Sequence, residues 1–557
     1  MGPGFLPRAV CIGLLVLGGI TGFAALRRGA EPIEAIRLRP LLVITLAISR
    51  PGREIMEILD LLMLGFGEAM TPANLGFCLI GALLGTLIGV LPGIGPTATI
   101  AVLLPITFFL PPLAGIIMLA GIYYGAQYGG STTAILVNLP GEASAVVTTL
   151  DGYQMARQGR AGSALAVAAL GSFFAGTVAT FAIAIAGPML AGFALNFGPA
   201  EYVALMVFGL LAATILASGP VLKAIGMILV GLLLGMVGTD QATGAERLTF
   251  GSLQLFDGVE FTVIAIGLFG FSEIIANLER TGSAGVTVAP LTRLWPTRED
   301  FRRAWPAVLR GTGIGTFLGI LPGGGATLAS FSAYSLEKKV SKTPEKFGTG
   351  MVEGVASPEA ANNAAAQSSF IPLLTLGIPS NNMMAMMLSA FMIHGITPGP
   401  TVLTTQPEIF WGLVASMWIG NALLVVINLP LIGLWVRLLT MPYRLLYPAI
   451  LLFCCVGVYS MNNRIFDVLL AAGFGLLGYA FRKARCEPGP LLLGFVLGPL
   501  LEANLRRTML ITQGDASIFI ERPISLTMLA ATVLLLVLMI VPSIRKKREE
   551  AFQEDEA

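Results

Sequence analysis

The chain has 557 residues, of which 55% are hydrophobic and only 12% are charged. A soluble domain carries about 25% charged residues, so the composition excludes an ordinary soluble protein. The net charge of +2 is too small to indicate a nucleic-acid partner. Apolar runs long enough to cross a lipid bilayer recur along the sequence, which predicts an all-α polytopic integral membrane protein with about 12–14 transmembrane segments.

Residues 1–52 form the first predicted segment. The apolar run Ala9–Leu26 is followed by Arg27 and Arg28. The run is long for the core of a signal peptide and basic residues follow it, which favours a retained membrane helix over a cleaved signal. A polar linker then leads to a shorter apolar run at residues 41–48. We therefore treat residues 1–52 as a membrane segment distinct from the rest.

One stretch of the sequence occurs twice. Residues 85–99 read GTLIGVLPGIGPTAT, and residues 315–329 read GTFLGILPGGGATLA. Each copy is an apolar run interrupted by Pro-Gly-x-Gly, and this breaks a helix because proline removes a backbone donor and glycine permits positive φ. Broken backbone at membrane depth is tolerated only where it is buried in protein or lines a wet cavity. A matched pair of such breaks indicates the binding site of a transporter.

A polar run follows each break. Residues 121–146 read GIYYGAQYGGSTTAILVNLPGEASAV, and residues 353–388 read EGVASPEAANNAAAQSSFIPLLTLGIPSNNMMAMML. A single Ser or Thr in a membrane helix commonly bonds its own helix carbonyls. However, polar groups at membrane depth cost free energy unless they are paired or hydrated. The large number of polar residues beside each broken helix therefore favours a binding site.

The duplication divides the chain into a first repeat at residues 53–278 and a second repeat at residues 311–543. Between them, residues 279–310 form a loop rich in arginine, and a charged tail occupies residues 544–557. Basic connections lie on the cytoplasmic side of a membrane, so we expect both segments there. The chain enters the first break from an acidic region and the second break from the basic loop. The two copies would then enter the membrane from opposite sides, which favours an inverted repeat.

These motifs resemble a known family. GTLIGVLPGIGPTATIAVLLP, YGGSTTAILVNLPGEASAVVTTLDGYQMARQGRAG and GPLLLGFVLGPLLE are similar to the large membrane subunit, the TctA-type permease, of the tripartite tricarboxylate transporters. The resemblance covers residues 55–540. It implies a secondary transporter of the bacterial inner membrane that imports an organic di- or tricarboxylate without a cofactor, driven by a sodium or proton gradient.

The resemblance also implies two partners. One is a periplasmic solute-binding protein that delivers the carboxylate, and the other is a small four-helix membrane subunit. Residues 1–52 resemble the middle of that small, TctB-type subunit, which indicates a fusion that replaces part of it. Whether a separate small subunit is still required stays open.

We expect the substrate to bind mainly through backbone dipoles, because the N-terminus of a resumed helix presents free N–H groups and partial positive charge. The candidate substrate- and ion-binding residues are the broken turns and the polar side chains beside them: Pro92, Gly93, Gly95, Thr97, Ser131, Thr132, Thr133, Asn138, Pro140, Gly141, Gly323, Gly324, Gly325, Thr327, Asn362, Asn363, Ser368, Ser369, Pro379, Ser380, Asn381 and Asn382.

The identity of the coupling ion stays open at this point. Sodium would use carbonyl oxygens of the same turns together with amide and hydroxyl oxygens. A proton would need a titratable group, for which Glu142, Glu359, Asp151 and Glu353 are the nearest candidates. We expect Asp151 and Glu353 to lie at solvated ends of helices. No firm metal site is predicted, since the five cysteines lack metal-ligand spacing.

Three other classes of function were weighed against a permease. An intramembrane enzyme would need a nucleophile–base pair, a metal cluster or a phosphate-binding loop, and the sequence shows none of these patterns. A channel could also use broken helices and small polar residues. A non-transporting membrane sensor or scaffold is the third. Saturable uptake that depends on a binding protein separates a carrier from a channel.

Overall fold

The computed structural model describes residues 51–91, 95–216, 220–240, 242–279, 294–321, 325–438 and 443–540. The chain divides into a unit of residues 1–61 and a unit of residues 62–557. Residues 1–50, which contain most of the small-subunit-like segment, lie outside the described residues, and so does the predicted tail. The described residues are almost entirely helical.

The first half contains ten α-helices and one short hairpin among the described residues. The helices are α1 (Pro51–Ala69), α2 (Pro72–Val90), α3 (Pro96–Thr107), α4 (Pro112–Val137), α5 (Val146–Met155), α6 (Ala161–Ala194), α7 (Pro199–Leu216), α8 (Val221–Gly235), α9 (Phe261–Ala265) and α10 (Ser272–Glu279). A π-helical turn joins α5 to α6, and another joins α9 to α10. The antiparallel strands β1 (Gly238–Thr239) and β2 (Glu246–Arg247) form the hairpin.

The described part of the second half contains thirteen further helices. They are α11 (Arg298–Ile320), α12 (Gly325–Val340), α13 (Glu353–Ser368), α14 (Phe370–Leu376), α15 (Asn382–Ile393), α16 (Val402–Thr405), α17 (Pro407–Asn428), α18 (Ile432–Leu438), α19 (Tyr443–Asn462), α20 (Ile465–Lys483), α21 (Pro488–Ile511), α22 (Ile518–Glu521) and α23 (Pro523–Ile540). Helix α11 begins inside the range predicted as a basic loop, because Thr297 and Asp300 form a capping box at its N-terminus.

Six helices in the described part of the chain are long and apolar enough to cross a membrane: Pro72–Val90, Ala156–Ala194, Phe261–Glu279, Pro407–Asn428, Ile465–Lys483 and Pro488–Ile511. Six shorter apolar helices accompany them, at Pro96–Thr107, Pro199–Ala212, Val221–Gly235, Asn382–Ile393, Ile450–Asn462 and Pro523–Val537. The prediction of an all-α polytopic membrane protein is confirmed. Half-length helices are what a membrane protein with broken segments is expected to contain.

The two halves repeat one packing arrangement. Helix α2 lies along α4, and α11 lies along α13. At both interfaces three glycines spaced four residues apart face backbone carbonyls of the partner helix, and an added Cβ on any of them would lie closer than 3.0 Å to a backbone carbonyl oxygen. The glycines are Gly81, Gly85 and Gly89 on α2 and Gly311, Gly315 and Gly319 on α11. Small residues at this spacing let membrane helices approach closely.

Both predicted helix breaks are present. Leu91 and Leu321 have extended backbone, and each donates its N–H to the carbonyl three residues earlier, which ends α2 and α11 in the same way. The chain resumes as α3 after Gly95 and as α12 at Gly325, whose φ is 51°. Residues 92–94 and 322–324 lie outside the described residues.

Helices α4 and α13 are buried along almost their whole length. Helix α13 is unusual because its buried residues include Ser357, Glu359, Asn362, Asn363 and Gln367. A buried helix of this polarity must satisfy its side chains inside the protein. The centre of the bundle is therefore polar, and it lies between the two repeats.

Candidate functional site

The helix that resumes after each break packs against the other half. Helix α3 packs on α15, and α12 packs on the 3₁₀ turn Ala143–Ala145 that precedes α5. The Thr97 hydroxyl donates to the Met383 sulfur at 3.3 Å. A Cβ on Gly325 would lie 4.0 Å from the Asn381 Cβ. The starts of α3 and α12 therefore both lie beside the N-terminus of α15.

The two predicted turns share a left-handed residue. Asn138 ends α4 with a φ of 58°, and Gly377 ends α14 with a φ of 71°. Asparagine and glycine are the residues that tolerate this conformation best. After these turns Gly141 packs on the backbone of Gly89, and Pro379 is buried. The turn after α4 and the turn after α14 thus share one backbone geometry.

Several predicted hydroxyl groups bond their own helix. Thr132 donates to the Tyr128 carbonyl at 3.2 Å, Thr133 to the Gly130 carbonyl at 2.9 Å, and Ser369 to the Ala366 carbonyl at 2.7 Å. Ser368 lies against Gly319 and is 3.5 Å from the carbonyls of Gly315 and Ala365. These contacts match the behaviour expected of isolated hydroxyls in membrane helices. They satisfy the side chains without a ligand.

Glu359 lies at the centre of α13 and is fully buried. The Ser131 hydroxyl donates to one of its carboxyl oxygens, and the Thr148 hydroxyl donates to the other. Ser131 is on α4 and Thr148 is on α5, so one carboxyl group joins the two polar runs. Sequence reasoning missed Thr148, because a threonine in a polar connection carries no signal of its own.

Glu142 lies directly before the 3₁₀ turn and packs over Gly130. The Ser144 hydroxyl donates to its Oε1 at 2.5 Å, and the Asn362 amide donates to the same oxygen at 3.3 Å. Asn362 is three residues after Glu359, which places both side chains on one face of α13. The two glutamates therefore belong to one polar cluster.

The predicted amides have distinct surroundings. The Asn363 amide donates to the Ser172 hydroxyl at 2.6 Å, which ties α13 to α6. Asn381 caps α15, where its Oδ1 accepts the Met384 N–H at 3.0 Å. The Asn362 Oδ1 is buried and has no hydrogen-bond partner among the residues that the structure describes. An unpartnered buried oxygen of this kind indicates a place for water, an ion or a ligand.

The remaining predicted residues are more dispersed. Asn138 is exposed, Pro140 and Thr327 are half-buried, and Asn382 packs against Gly489 of α21. The Ser380 hydroxyl lies 3.4 Å from the Ser369 carbonyl. Pro92, Gly93, Gly323 and Gly324 lie outside the described residues.

The expectation that Asp151 is solvated is wrong. Its side chain is fully buried, and it accepts hydrogen bonds from the Tyr334 hydroxyl at 2.9 Å and from the N–H groups of Gly348, Gly350 and Met351 at 2.9, 2.8 and 2.7 Å. These donors precede α13 or lie on α12. Asp151 therefore fastens the first repeat to the connection that enters α13, a structural role that a local sequence pattern does not reveal.

The ion pairs that involve arginine lie apart from the two glutamates. Glu353 is half-buried at the start of α13 and accepts both hydrogen bonds of Arg303 at 2.8 Å. Arg310 likewise donates two hydrogen bonds to the carboxylate of Glu337. Within the described part of the chain, no group of three or more His, Cys, Asp or Glu side chains could hold a metal ion.

A crevice opens beside Ser131 between α4, α6 and α17. Its polar lining consists of Tyr128, Ser131, Thr132, Ser172 and Asn428, and leucine, alanine and isoleucine complete it. The Asn428 amide donates to the Thr86 hydroxyl at 3.3 Å, but its Oδ1 has no hydrogen-bond partner in the described part of the chain. Sequence reasoning missed Asn428, although an isolated amide in an apolar membrane helix is itself a sign of function.

Comparison with known proteins agrees with this architecture. Residues 75–493 match the family described as "Tripartite tricarboxylate transporter TctA family". An "Uncharacterized 52.8 kDa protein in TAR-I ttuC' 3'region" of Agrobacterium vitis is 59% identical over 501 residues, which cover 90% of this chain and all of the relative. A second Agrobacterium vitis protein, "in TAR-II ttuC' 3'region", is 59% identical over 242 residues, or 43% of this chain and all of that relative. No solved structure matches.

Proposed function

Because the chain belongs to the tripartite tricarboxylate transporter TctA family, and is thus a membrane transporter subunit, we propose that it is the permease that imports an organic di- or tricarboxylate. The observation that supports this proposal is that α3 and α12, the helices that follow the two breaks, both begin beside the N-terminus of α15, as the contacts of Thr97 with Met383 and of Gly325 with Asn381 show. The starts of α3, α12 and α15 present N–H groups and positive dipole ends to a shared region.

Such an arrangement suits a carboxylate that must bind and then leave. Helix N-termini stabilise anions, and in transporters the ends of broken helices typically hold the substrate near the middle of the membrane. The described polar cluster contains no arginine or lysine. Binding by dipoles and neutral donors is weaker than binding by a buried guanidinium, which favours release.

The proposal includes the two partners and the location that the family implies. A periplasmic solute-binding protein would deliver the carboxylate to this subunit in the bacterial inner membrane, and a small membrane subunit would accompany it. The ion gradient supplies the energy, and no catalytic step or cofactor is required.

The test is uptake into vesicles that contain the purified chain and its small subunit, with the binding protein outside. A panel of labelled mono-, di- and tricarboxylates is offered under separately imposed sodium and proton gradients. Saturable uptake that requires the binding protein and one of the gradients would support the proposal. Non-saturable flux without the binding protein would indicate a channel and contradict it.

A further inference from the structure

No cationic side chain in the described part of the chain contacts Glu359, which is fully buried, or Glu142, which is half-buried. Glu359 receives hydrogen bonds from Ser131 and Thr148, and Glu142 receives them from Ser144 and Asn362. A buried ionised carboxylate without a counter-charge is unfavourable, so the cluster favours the binding of one positive charge.

The two carboxyl groups also belong to one network. Asn362 follows Glu359 by one turn on α13 and donates to Glu142. Ser131 donates to Glu359 and is the neighbour of Gly130, against which Glu142 packs. The two carboxyl groups are thus linked through Asn362 on α13 and through the adjacent residues Gly130 and Ser131 on α4.

The network borders a small crevice. The Ser131 side chain lines the crevice beside α6 and α17 while its hydroxyl donates to Glu359. The same crevice is lined by Asn428, which is only 5% exposed and whose Oδ1 has no hydrogen-bond partner among the described residues. A water molecule in the crevice would find both a hydrogen-bond acceptor and the Ser131 hydroxyl.

We propose that Glu359 and Glu142 form the coupling-ion site of the permease and that the ion is a proton, which passes from the crevice through Ser131 to Glu359. A hydronium ion in the crevice gives one proton to the Ser131 oxygen and is left as water, while the Ser131 hydroxyl proton moves to a Glu359 oxygen, so serine is unchanged and the carboxylate becomes a carboxylic acid. This inference rests on the proposed function, because it names the ion that drives that transport.

The hydrogen-bond pattern favours a proton over sodium. Both oxygens of Glu359 are engaged by hydroxyl groups, Ser131 at one oxygen and Thr148 at the other. Sodium prefers a set of converging oxygens, whereas a proton requires only a carboxyl group and a donor chain. Sodium remains an outcome of the experiment.

Other titratable side chains lie on the helices around the site. Tyr123, Tyr124 and Tyr128 lie on α4, and Tyr123 interacts with Glu142. Asp151 and Tyr153 lie on α5 and Tyr334 lies on α12, while α6 and α14 carry no titratable side chain. The ion pairs Arg303–Glu353 and Arg310–Glu337 join α11 to α13 and α12, and Arg160 pairs with Asp300. Those arginines and their carboxylate partners form ion pairs, and Asp151 is held by Tyr334 and three backbone N–H groups. We therefore assign the proton exchange to Glu359 and Glu142.

The first experiment measures uptake driven by a pH gradient in vesicles that hold the complete complex. One coupled proton and a gradient of one pH unit support about tenfold accumulation of substrate. Wild type should reach this accumulation. The variant Glu345→Gln, which changes an exposed carboxyl group outside the site, should reach it as well. Glu359→Gln and Glu142→Gln should show no accumulation, yet still exchange labelled for unlabelled substrate at equal pH. Loss of exchange in proportion to accumulation would indicate a merely structural role and overturn the proposal.

The second experiment does not depend on transport. Infrared difference spectra of the purified wild-type protein, recorded between acidic and alkaline pH, should show the C=O stretch of a buried carboxylic acid. That band should disappear in Glu359→Gln or Glu142→Gln and persist in Glu345→Gln. A band unchanged in both site variants, or accumulation driven by sodium and indifferent to pH, would overturn the assignment. If wild type transports nothing under any gradient, the proposed function fails while the spectra still decide the proton site.

Discussion

The glycine contacts between α2 and α4 give the sharpest quantitative prediction. A Cβ on Gly85 would lie 2.5 Å from the Ile122 carbonyl oxygen, whereas ordinary contact begins at 3.4 Å. The helices would have to separate by about 0.9 Å, the difference between these distances, and the obstacle is backbone rather than a flexible side chain. Overpacking of this kind costs about 1–3 kcal/mol. Alanine regains about 1 kcal/mol of helix propensity, so Gly85→Ala should lower the free energy of unfolding by up to about 2 kcal/mol.

The chain offers matched controls on the same helices. Gly76 on α2 and Gly313 on α11 have no atom within 4 Å of an added Cβ. Gly76→Ala and Gly313→Ala should therefore be neutral or stabilising by up to about 1 kcal/mol. Because the packing is repeated, Gly315→Ala should behave like Gly85→Ala. The assay is denaturant-induced unfolding of the four purified variants in one detergent, followed by tryptophan fluorescence.

The result that would refute this reasoning is simple to recognise. If Gly85→Ala and Gly315→Ala unfold at the same denaturant concentration as Gly76→Ala and Gly313→Ala, close backbone approach does not hold these helix pairs together. If only one of the two interface variants is destabilised, the halves do not share the packing described above.

Three further predictions concern other parts of the molecule. Gly93→Val and Gly323→Val, in the two breaks, should abolish carboxylate uptake while leaving membrane insertion intact; wild-type uptake would contradict the site. Asp151→Ala leaves three backbone N–H groups without their acceptor and should lower the free energy of unfolding by about 3 kcal/mol or more, against about 1 kcal/mol for Tyr334→Phe; equal effects would contradict the fastening role. Hydrogen bonds from Arg506 hold the pKa of Asp240 below its ordinary value. A carboxyl group whose folded pKa is depressed stabilises the fold above its unfolded pKa, about 4, and the effect is lost as the pH falls through the folded pKa. The protection of the β1–β2 hairpin amides, corrected for the pH dependence of intrinsic exchange, should thus fall on acidification in wild type, and Asp240→Asn should remove that acid-dependent part; identical pH profiles of protection would contradict it.

The sequence alone determined the class of the protein and the positions of its breaks. The composition and the length of the apolar runs indicate a polytopic helical membrane protein. A soluble fold needs more charged residues at its surface and cannot bury this many apolar residues. The doubled Pro-Gly-x-Gly motif indicated where α2 and α11 end, since proline and glycine act locally on the backbone. The long sequence motifs of the chain also indicated the family.

Only the tertiary structure decided which polar groups meet. Local patterns rank Ser131, Thr132 and Thr133 alike, yet Ser131 alone of the three reaches a glutamate, which lies 228 residues away in sequence. Asp151 and Glu359 are both acidic residues in polar runs, but one binds backbone N–H groups and the other receives only hydroxyls. Contacts of such sequence separation depend on how the two repeats pack against each other, and that packing leaves no trace in the residues beside either group.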